Sequence, residues 1–271
     1  MTSADALSPQ VIHAVGERTR RIAETLRGLS EDELLQPSEL PQWSRLTIAC
    51  HLRYGAHALI RMTHAAVNGE PVAYYPEGRE AQRPRTLLPL PGESPAGVVE
   101  SLAGLGQNLH ESWSALDDSA WKVEVTEPPE NRDLGPLPLG RLPTLRLTEV
   151  EVHGTDLGLG LPDWSELFVN AALPLRLEWL NTRRANHRAF DAELDGSWLL
   201  VATDGPTYLV RVHGPEVELQ PARPGSPATA VIEASSRDLL ALLLGRPFRT
   251  PPVLAGDVDF ARAFSRAFPG P

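Results

Sequence analysis

The stretch Arg146–Gly160, RLTEVEVHGTDLGLG, carries an acidic residue and a histidine four positions apart, Glu149 and His153. If the stretch is helical, residues i and i+4 lie on one face, so the carboxylate and the imidazole converge. Such a pair can hold a divalent metal when a third ligand arrives from elsewhere in the chain. Glu151 lies two positions from each of them and is expected to point to a different face. The spacing therefore predicts two metal ligands on one helix.

The N-terminal part of the chain has the periodicity of a helical bundle. Apolar residues recur at helical spacing over residues 8–29, 44–68, 94–116 and 139–157. Bundles build metal sites from side chains on facing helices. His51 lies about two turns into the second helix, where it can meet Glu149 and His153 across the core.

Two imidazoles and one carboxylate would leave open positions on a zinc-like ion, and they also match the facial triad that holds iron. The alternative is a solvated Glu149 and a hydrogen-bonded core histidine, because Glu-x-x-x-His arises by chance in many helices.

The pattern changes near residues 160–165. Residues 164–190 have helical periodicity, and alternating apolar runs separated by turn residues then predict strands. These runs are WLLVAT, TYLVRVHG, EVELQPA and TAVIEAS, followed by a helix DLLALLLG and a short tail helix over 260–268. The fold class predicted is α+β with two domains, a metal-binding four-helix bundle over residues 1–162 and a small α+β domain over 163–271.

Composition and net charge limit the partners and the cellular compartment that we expect. The 271 residues carry a formal net charge of −10, which argues against nucleic acid or an anionic membrane as the main partner. The single cysteine, Cys50, excludes an internal disulfide. The N-terminus lacks the pattern of a signal peptide, and no apolar run is long enough to span a membrane, so we expect a cytoplasmic protein.

Three blocks resemble one known family. The run LPQWSRLTIACHLRYGAHALIRMTHAAVNGEPVAYYPEGREAQR, residues 40–83, resembles the first half of the mycothiol-dependent maleylpyruvate isomerase family. The stretch RLTEVEVHGTDLGLG is similar to that family's Arg-x-x-Glu-Val-x-x-His-x-x-Asp-Leu run, and LLALLLGRPF is similar to its C-terminal helix ending in Gly-Arg. The matching residues are Trp43, His51, Leu52, Arg61, Met62, Gly69, Glu70, Tyr74, Tyr75, Arg83, Arg146, Glu149, Val150, His153, Asp156, Leu157, Gly245 and Arg246.

The resemblance implies a DinB-like four-helix bundle and a C-terminal domain of the sterol-carrier type. It implies a divalent metal, zinc in characterised relatives, held by His51, Glu149 and His153, and mycothiol as the thiol cosubstrate. Because a metal lowers the pKa of a bound thiol, a thiolate would be available to attack a small electrophile.

Four further residues have implied roles, each with an ordinary structural alternative. Arg246 would hold a substrate carboxylate, or is a surface arginine after a helix. Arg83 and Tyr75 would line the thiol site, or are a solvated arginine and a packed tyrosine. Asp156 would orient a metal ligand, or accepts a hydrogen bond at a helix end.

The leading hypothesis is a mycothiol-dependent isomerase or S-transferase that acts as a monomer or homodimer. The loop over residues 70–93 is richer in proline than is typical of the family, which leaves the substrate open and makes an S-transferase of specialised metabolism a rival. Two other classes remain: a metal-dependent hydrolase on the same bundle, and a non-enzymatic protein that binds a small apolar molecule.

Overall fold

The computed structural model describes residues 9–131, 134–180 and 192–270. The chain forms two compact units, Met1–Phe168 and Val169–Pro271. The first is mainly helical and the second contains a sheet flanked by helices. The predicted α+β class, with a helical N-terminal region, is confirmed.

Four long helices build the first unit: α1, Pro9–Arg27; α3, Arg45–Val67; α5, Pro95–Ser114; and α6, Leu142–Asp156. Ser44 and Ser94 cap α3 and α5 by accepting hydrogen bonds from the third backbone amide of each helix. Helices α1 and α3 each pack against both α5 and α6. This packing brings the first half of α3 beside α6.

Two short helices lie where connectors were expected. Helix α2, Glu31–Leu35, begins with a capping box in which Ser30 and Glu33 exchange hydrogen bonds. Helix α4, Arg79–Thr86, lies within the expected loop, and Thr86 is its one buried residue. An expectation based on apolar periodicity misses α4 because almost nothing in the helix faces a core.

A five-stranded sheet forms the second unit, in the order β5-β4-β3-β6-β7. Strands β3 and β6 are parallel and the other neighbours are antiparallel. The bounds are Gly196–Ala202 for β3, Thr207–His213 for β4, Glu216–Ala222 for β5, Ala230–Ala234 for β6 and Val253–Gly256 for β7. The four predicted strands are present. Strand β7 was not predicted because it follows two prolines at a sheet edge, and its Val253 is 64% exposed. In the first unit, β1, Glu124–Val125, pairs with β2, Leu137–Pro138.

The remaining helices differ in part from the expected ones. Helix α7 spans Glu166–Glu178, and residues 181–190 of the longer helix that was predicted lie outside the described residues. Helix α8 covers Ser236–Leu244, and the tail helix divides into α9, Val258–Arg262, and α10, Phe264–Ala267. Trp198 of β3 contacts α9 in two ways. Its ring stacks on Phe260 with the ring centroids 4.2 Å apart, and its indole N–H donates a hydrogen bond to the Phe260 carbonyl. Among the described residues, no helix combines the length and the apolar character needed to cross a bilayer.

Candidate metal centre

Three predicted ligands meet between α3 and α6. His51 Nε2 lies 2.8 Å from Glu149 Oε2, and His153 Nε2 lies 3.5 Å from the same oxygen. One ligand atom from each residue falls within 4.8 Å of the other two. The i, i+4 spacing aligns Glu149 with His153, and the packing of α3 on α6 adds a residue that is 98 positions away.

Asp156 fixes the orientation of His153. Its Oδ2 lies 2.9 Å from His153 Nδ1, one turn further along α6. With Nδ1 hydrogen-bonded to the carboxylate, Nε2 is the nitrogen that faces Glu149. A histidine whose second nitrogen is held by a carboxylate is the usual arrangement of a metal-binding imidazole.

The pKa values of all three predicted ligands differ from those of the free side chains. Burial alone would raise the pKa of Glu149, but hydrogen bonds with His153 and His51 hold it well below its usual value. Burial lowers the pKa of His51. Burial would also lower the pKa of His153, but hydrogen bonds with Asp156 and Glu149 raise it above its ordinary value. In the absence of a metal, a proton therefore resides on His153 in preference to His51.

Trp43 forms one wall of this centre. Its ring stacks on His153 at 5.7 Å and meets His51 edge-on at 5.3 Å. The preceding residue, Gln42, has φ 68°, a left-handed conformation that a non-glycine residue rarely adopts. Ser38 donates two hydrogen bonds to the Trp43 carbonyl, from its backbone amide and its hydroxyl. This strained turn holds the indole against both histidines.

Glu151 lies on a different face of α6, as its spacing predicts. It pairs with Arg18 of α1 at 3.2 Å and accepts a hydrogen bond from the Ser165 hydroxyl. Both members of the ion pair are buried, with side chains 6% and 5% exposed. The second acidic residue of the motif therefore ties α6 to α1 and is not among the converging groups.

Arg83 and Tyr75 contact different aromatic residues. The Arg83 guanidinium carbon lies 5.8 Å from the centre of the Trp43 ring, which also contacts both histidines. Tyr75 is buried, stacks on Tyr54 at 5.3 Å and carries Arg79 over its ring. The structure brings Arg83 to the edge of the site and places Tyr75 in an aromatic cluster. The roles predicted for both remain predictions.

Two residues of the family motifs were given no role by the sequence but lie beside the triad. Arg146 is one turn before Glu149 on α6 and is 1% exposed. Burial lowers the pKa of Arg146, while nearby Tyr74 and Glu149 act to raise it. Burial also raises the pKa of Tyr74 well above its ordinary value, so its hydroxyl stays protonated at neutral pH. The i, i+3 spacing of Arg146 and Glu149 was the available signal.

Arg246 lies in the second unit, and Cys50 lies in α3 of the first. Arg246 belongs to the second unit, directly after Gly245, whose φ of 62° ends α8. The Arg246 guanidinium donates to the Leu244 carbonyl at 3.3 Å, and its predicted role with substrate remains a prediction. Cys50 adjoins His51 in sequence but is fully buried, as expected for an inert thiol.

The donor set fits a divalent metal. Two imidazole nitrogens and one carboxylate oxygen converge, and each is a ligand that zinc accepts. Although protein atoms crowd the Glu149 carboxylate enough to affect its pKa, the side chain is still 39% exposed, so the site borders solvent on that side. Three protein ligands and an open side are the features of a catalytic rather than a structural metal site.

A family model described as Mycothiol maleylpyruvate isomerase N-terminal domain matches residues 15–158, slightly more than half of the 271-residue chain. The chain belongs to this family. The matched range includes His51, Glu149 and His153. The family assignment made from the three sequence blocks is confirmed, and so is the prediction that this member of the mycothiol maleylpyruvate isomerase family is an enzyme.

Two solved structures resemble this family member along nearly its whole length. One is a crystal structure of the mycothiol-dependent maleylpyruvate isomerase, with a TM-score of 0.66 and 20% identity, covering 94% of this chain and 96% of that chain. The other is a histidine-to-alanine mutant of that isomerase, with a TM-score of 0.65, 19% identity and the same coverage. At this identity the likeness establishes the fold. No curated protein sequence matches the chain.

Proposed function

We propose that this protein is a metal-dependent enzyme that uses mycothiol as a cosubstrate on a small electrophile. The reaction is a cis–trans isomerisation of the maleylpyruvate type or an S-transfer. The observation that carries the proposal is the convergence of His51, Glu149 and His153 in a chain of the mycothiol maleylpyruvate isomerase family. We propose zinc as the metal because the family resemblance implies it, and the donor set is compatible with zinc.

Each residue of the centre has a role that follows from its contacts. His51, Glu149 and His153 would hold the ion, whose positive charge favours the thiolate form of the cosubstrate at neutral pH. Asp156 holds His153 in the tautomer that presents Nε2. Trp43 covers both imidazoles on one side and leaves the Glu149 side open.

The remaining predicted residues would surround the thiol and the electrophile. Arg83, whose guanidinium lies over the Trp43 ring, would line the thiol site. Tyr75, which stacks on Tyr54, would line the thiol site together with Arg83. Arg246 would hold a carboxylate of the electrophile, since arginine binds carboxylates with two parallel hydrogen bonds.

The proposed architecture is a DinB-like four-helix bundle over residues 1–162 followed by a sterol-carrier-like domain over 163–271. The mutual packing of α1, α3, α5 and α6 supports the first assignment. The five-stranded sheet with flanking helices supports the second.

The deciding experiment measures bound metal and thiol-dependent turnover together. Wild type is expected to hold about one divalent ion per chain and to convert an electrophile only when mycothiol is present. His153→Ala removes a ligand and is expected to lose both the ion and the activity. His64→Ala is the matched control, because His64 is an exposed histidine on the same helix as His51.

The competing classes give different results in the same assay. Turnover of an ester or amide with no thiol present would replace the thiol enzyme with a hydrolase. A wild-type protein without metal, together with unchanged behaviour of His153→Ala, would favour a non-enzymatic binding protein. Equal losses in His153→Ala and His64→Ala would show that the triad is not the site.

A further inference from the structure

The two histidines of the triad are held in place by different means. His153 Nδ1 lies 2.9 Å from Asp156 Oδ2, so a carboxylate fixes the tautomer and the orientation of that ring. His51 has no equivalent contact, because no described residue makes a hydrogen bond with its Nδ1. Its hydrogen bond to Glu149 uses Nε2, the nitrogen that faces the other predicted ligands. The orientation of the His51 ring therefore depends on packing.

Two aromatic rings supply that packing. Trp43 meets His51 edge-on with the ring centroids 5.3 Å apart, and His153 meets His51 edge-on at 4.8 Å. Trp43 also stacks on His153 at 5.7 Å, with 13° between the ring planes. All three pairs of rings are therefore in contact, in the edge-to-face and stacked arrangements that aromatic rings favour. The χ2 torsion of a histidine is otherwise broad, so these contacts are what restricts rotation of the His51 ring.

The turn that carries Trp43 is attached to both helices that supply the ligands. Ser38 donates hydrogen bonds to the Trp43 carbonyl from its backbone amide at 2.9 Å and from its hydroxyl at 2.8 Å. The Glu39 amide donates to the Asp156 carbonyl at 2.8 Å, which joins the turn to the end of α6. Ser44, the residue after Trp43, caps α3. The indole is therefore fixed relative to α3 and to α6 at the same time.

Backbone strain accompanies this turn. Gln42, directly before the indole, has φ 68° and an exposed side chain. A left-handed conformation costs free energy for a residue other than glycine, and such strain is concentrated at functional sites. Because the Gln42 side chain is exposed, its own contacts do not account for the conformation. The positive φ instead sets the direction in which the chain enters Trp43.

We propose that Trp43 is the positioning residue of His51 and sets the distance between the two imidazoles before a metal binds. By ring packing it does for His51 what Asp156 does for His153 by a hydrogen bond. A ligand that is already oriented loses less conformational freedom on binding, so the ion is held more tightly. This inference rests on the proposed function, in which His51, Glu149 and His153 hold a divalent ion.

The test measures the binding of Co²⁺ alone, without thiol or electrophile. Competition with a chelator gives the affinity, and the visible absorption bands of bound Co²⁺ report the geometry of its ligands. Crystal structures of the metal-free proteins give a second readout, the distance between the His51 and His153 rings. Urea melts of the metal-free proteins measure the stability of each variant separately from its affinity for the ion.

The first variants change the ring itself. Trp43→Leu is expected to weaken Co²⁺ binding about tenfold or more, to shift the absorption bands, and to displace the His51 ring in the metal-free crystal. Trp43→Phe keeps a smaller aromatic ring and is expected to restore part of the affinity. Trp121→Leu is the matched control, because Trp121 is also half-buried but packs on Trp113 of α5. This control should bind Co²⁺ as the wild type does.

Two changes at Gln42 act on the turn and leave the indole in the chain. Glycine adopts φ 68° without strain, so Gln42→Gly should keep the wild-type Co²⁺ affinity and absorption bands. Valine is branched at Cβ and is disfavoured at positive φ, so Gln42→Val should shift the indole and weaken Co²⁺ binding. Because the Gln42 side chain is exposed, a difference between the two variants acts through the backbone.

A folded Trp43→Leu protein with wild-type Co²⁺ affinity and wild-type ring positions would overturn the proposal, and so would equal losses of affinity in Trp43→Leu and Trp121→Leu. If Trp43→Leu does not fold, equal Co²⁺ affinities of Gln42→Gly and Gln42→Val overturn it. Turnover without mycothiol would contradict the proposed function and leave these comparisons unchanged. If the wild type binds no ion, the proposed function fails, and the ring positions in the metal-free crystals still decide the role of Trp43.

Discussion

At the residue scale, the site depends on the two nitrogens of His153. One faces Glu149 at 3.5 Å and the other lies 2.9 Å from Asp156. A single imidazole therefore joins the proposed metal centre to the end of α6. The spacing of Glu149, His153 and Asp156 made both contacts predictable, because i+3 and i+4 neighbours meet on any helix.

Asp156→Asn is expected to weaken metal binding about 10- to 100-fold, because an amide orients His153 less strongly and makes it a poorer donor. Competition with a metallochromic chelator measures the affinity. Asp163→Asn, a change of the same kind outside the triad's contacts, is the control for the loss of one negative charge. If Asp156→Asn keeps the wild-type metal affinity, Asp156 acts only as a hydrogen-bond acceptor at the end of α6.

Cys50 gives a prediction that depends on pH. Burial raises the pKa of its thiol from 9.0 to about 11. The folded protein is therefore expected to resist a thiol reagent at pH 8, and the denatured protein to react at one thiol per chain, since the sequence holds one cysteine. Rapid labelling of the native protein at pH 8 would show that Cys50 is accessible.

The raised pKa of Cys50 also makes the stability of the folded protein depend on pH. The Cys50 thiol keeps its proton to a higher pH in the folded state than in the unfolded state. Its contribution to the free energy of unfolding is therefore fully present below pH 9 and is lost as the pH rises through about 11. The loss should approach about 3 kcal/mol. Denaturant melts of wild type and Cys50→Ala measure this loss as the difference between their free energies of unfolding. If that difference is the same at pH 8 and pH 11, the prediction is wrong.

At the scale of elements, the packing of α5 on α1 depends on one glycine and not on its neighbour. A Cβ on Gly106 would lie 2.5 Å from Thr19 Cγ2 of α1, whereas one on Gly104 would meet nothing within 4 Å. Both glycines lie in the same helix and look alike in the sequence. The difference comes from the facing helix.

Alanine at these two positions should therefore have opposite effects. Gly104→Ala is expected to raise the free energy of unfolding by about 0.5–1 kcal/mol, because glycine is a poor helix former. Gly106→Ala is expected to lower it by about 1–3 kcal/mol, because Thr19 and the helix backbone must move apart. Urea melts of both variants test this, and an increase in both would mean that the α1–α5 contact is looser than described.

Two elements that the sequence analysis did not predict, α4 and β7, were missed for the same physical reason. Helix α4 buries almost nothing, and β7 lies at a sheet edge after two prolines. Neither shows an apolar repeat, because a repeat arises only where one face meets a core. The capping box of α2 did carry a signal, in the Ser30 and Glu33 spacing.

At the scale of the whole molecule, the two compact units divide the candidate residues unequally. His51, Glu149, His153, Asp156, Arg146, Tyr74 and Arg83 belong to the first unit, and Arg246 belongs to the second. The three ligands of the proposed metal centre thus all belong to Met1–Phe168. The predicted domain boundary at residue 162 and the predicted monomer or homodimer remain predictions.

A fragment of residues 1–168 is expected to bind the divalent ion with the stoichiometry of the full chain, since it contains every triad ligand. Circular dichroism confirms that the fragment is folded, and elemental analysis counts the ion. The same fragment carrying His153→Ala is the control and should hold none. A folded fragment without metal, beside a full chain that binds it, would show that the second unit contributes to the site.

The sequence by itself determined the local features: capped helices, alternating strands, the α+β class, and a carboxylate and a histidine on one helix face. These follow from rules that act over a few residues. The tertiary structure decided which distant groups meet. It brought His51 to Glu149 across 98 positions, paired Glu151 with Arg18, and buried Arg146 next to Tyr74 and Glu149. Contacts between helices depend on how whole faces pack, and no local pattern encodes that.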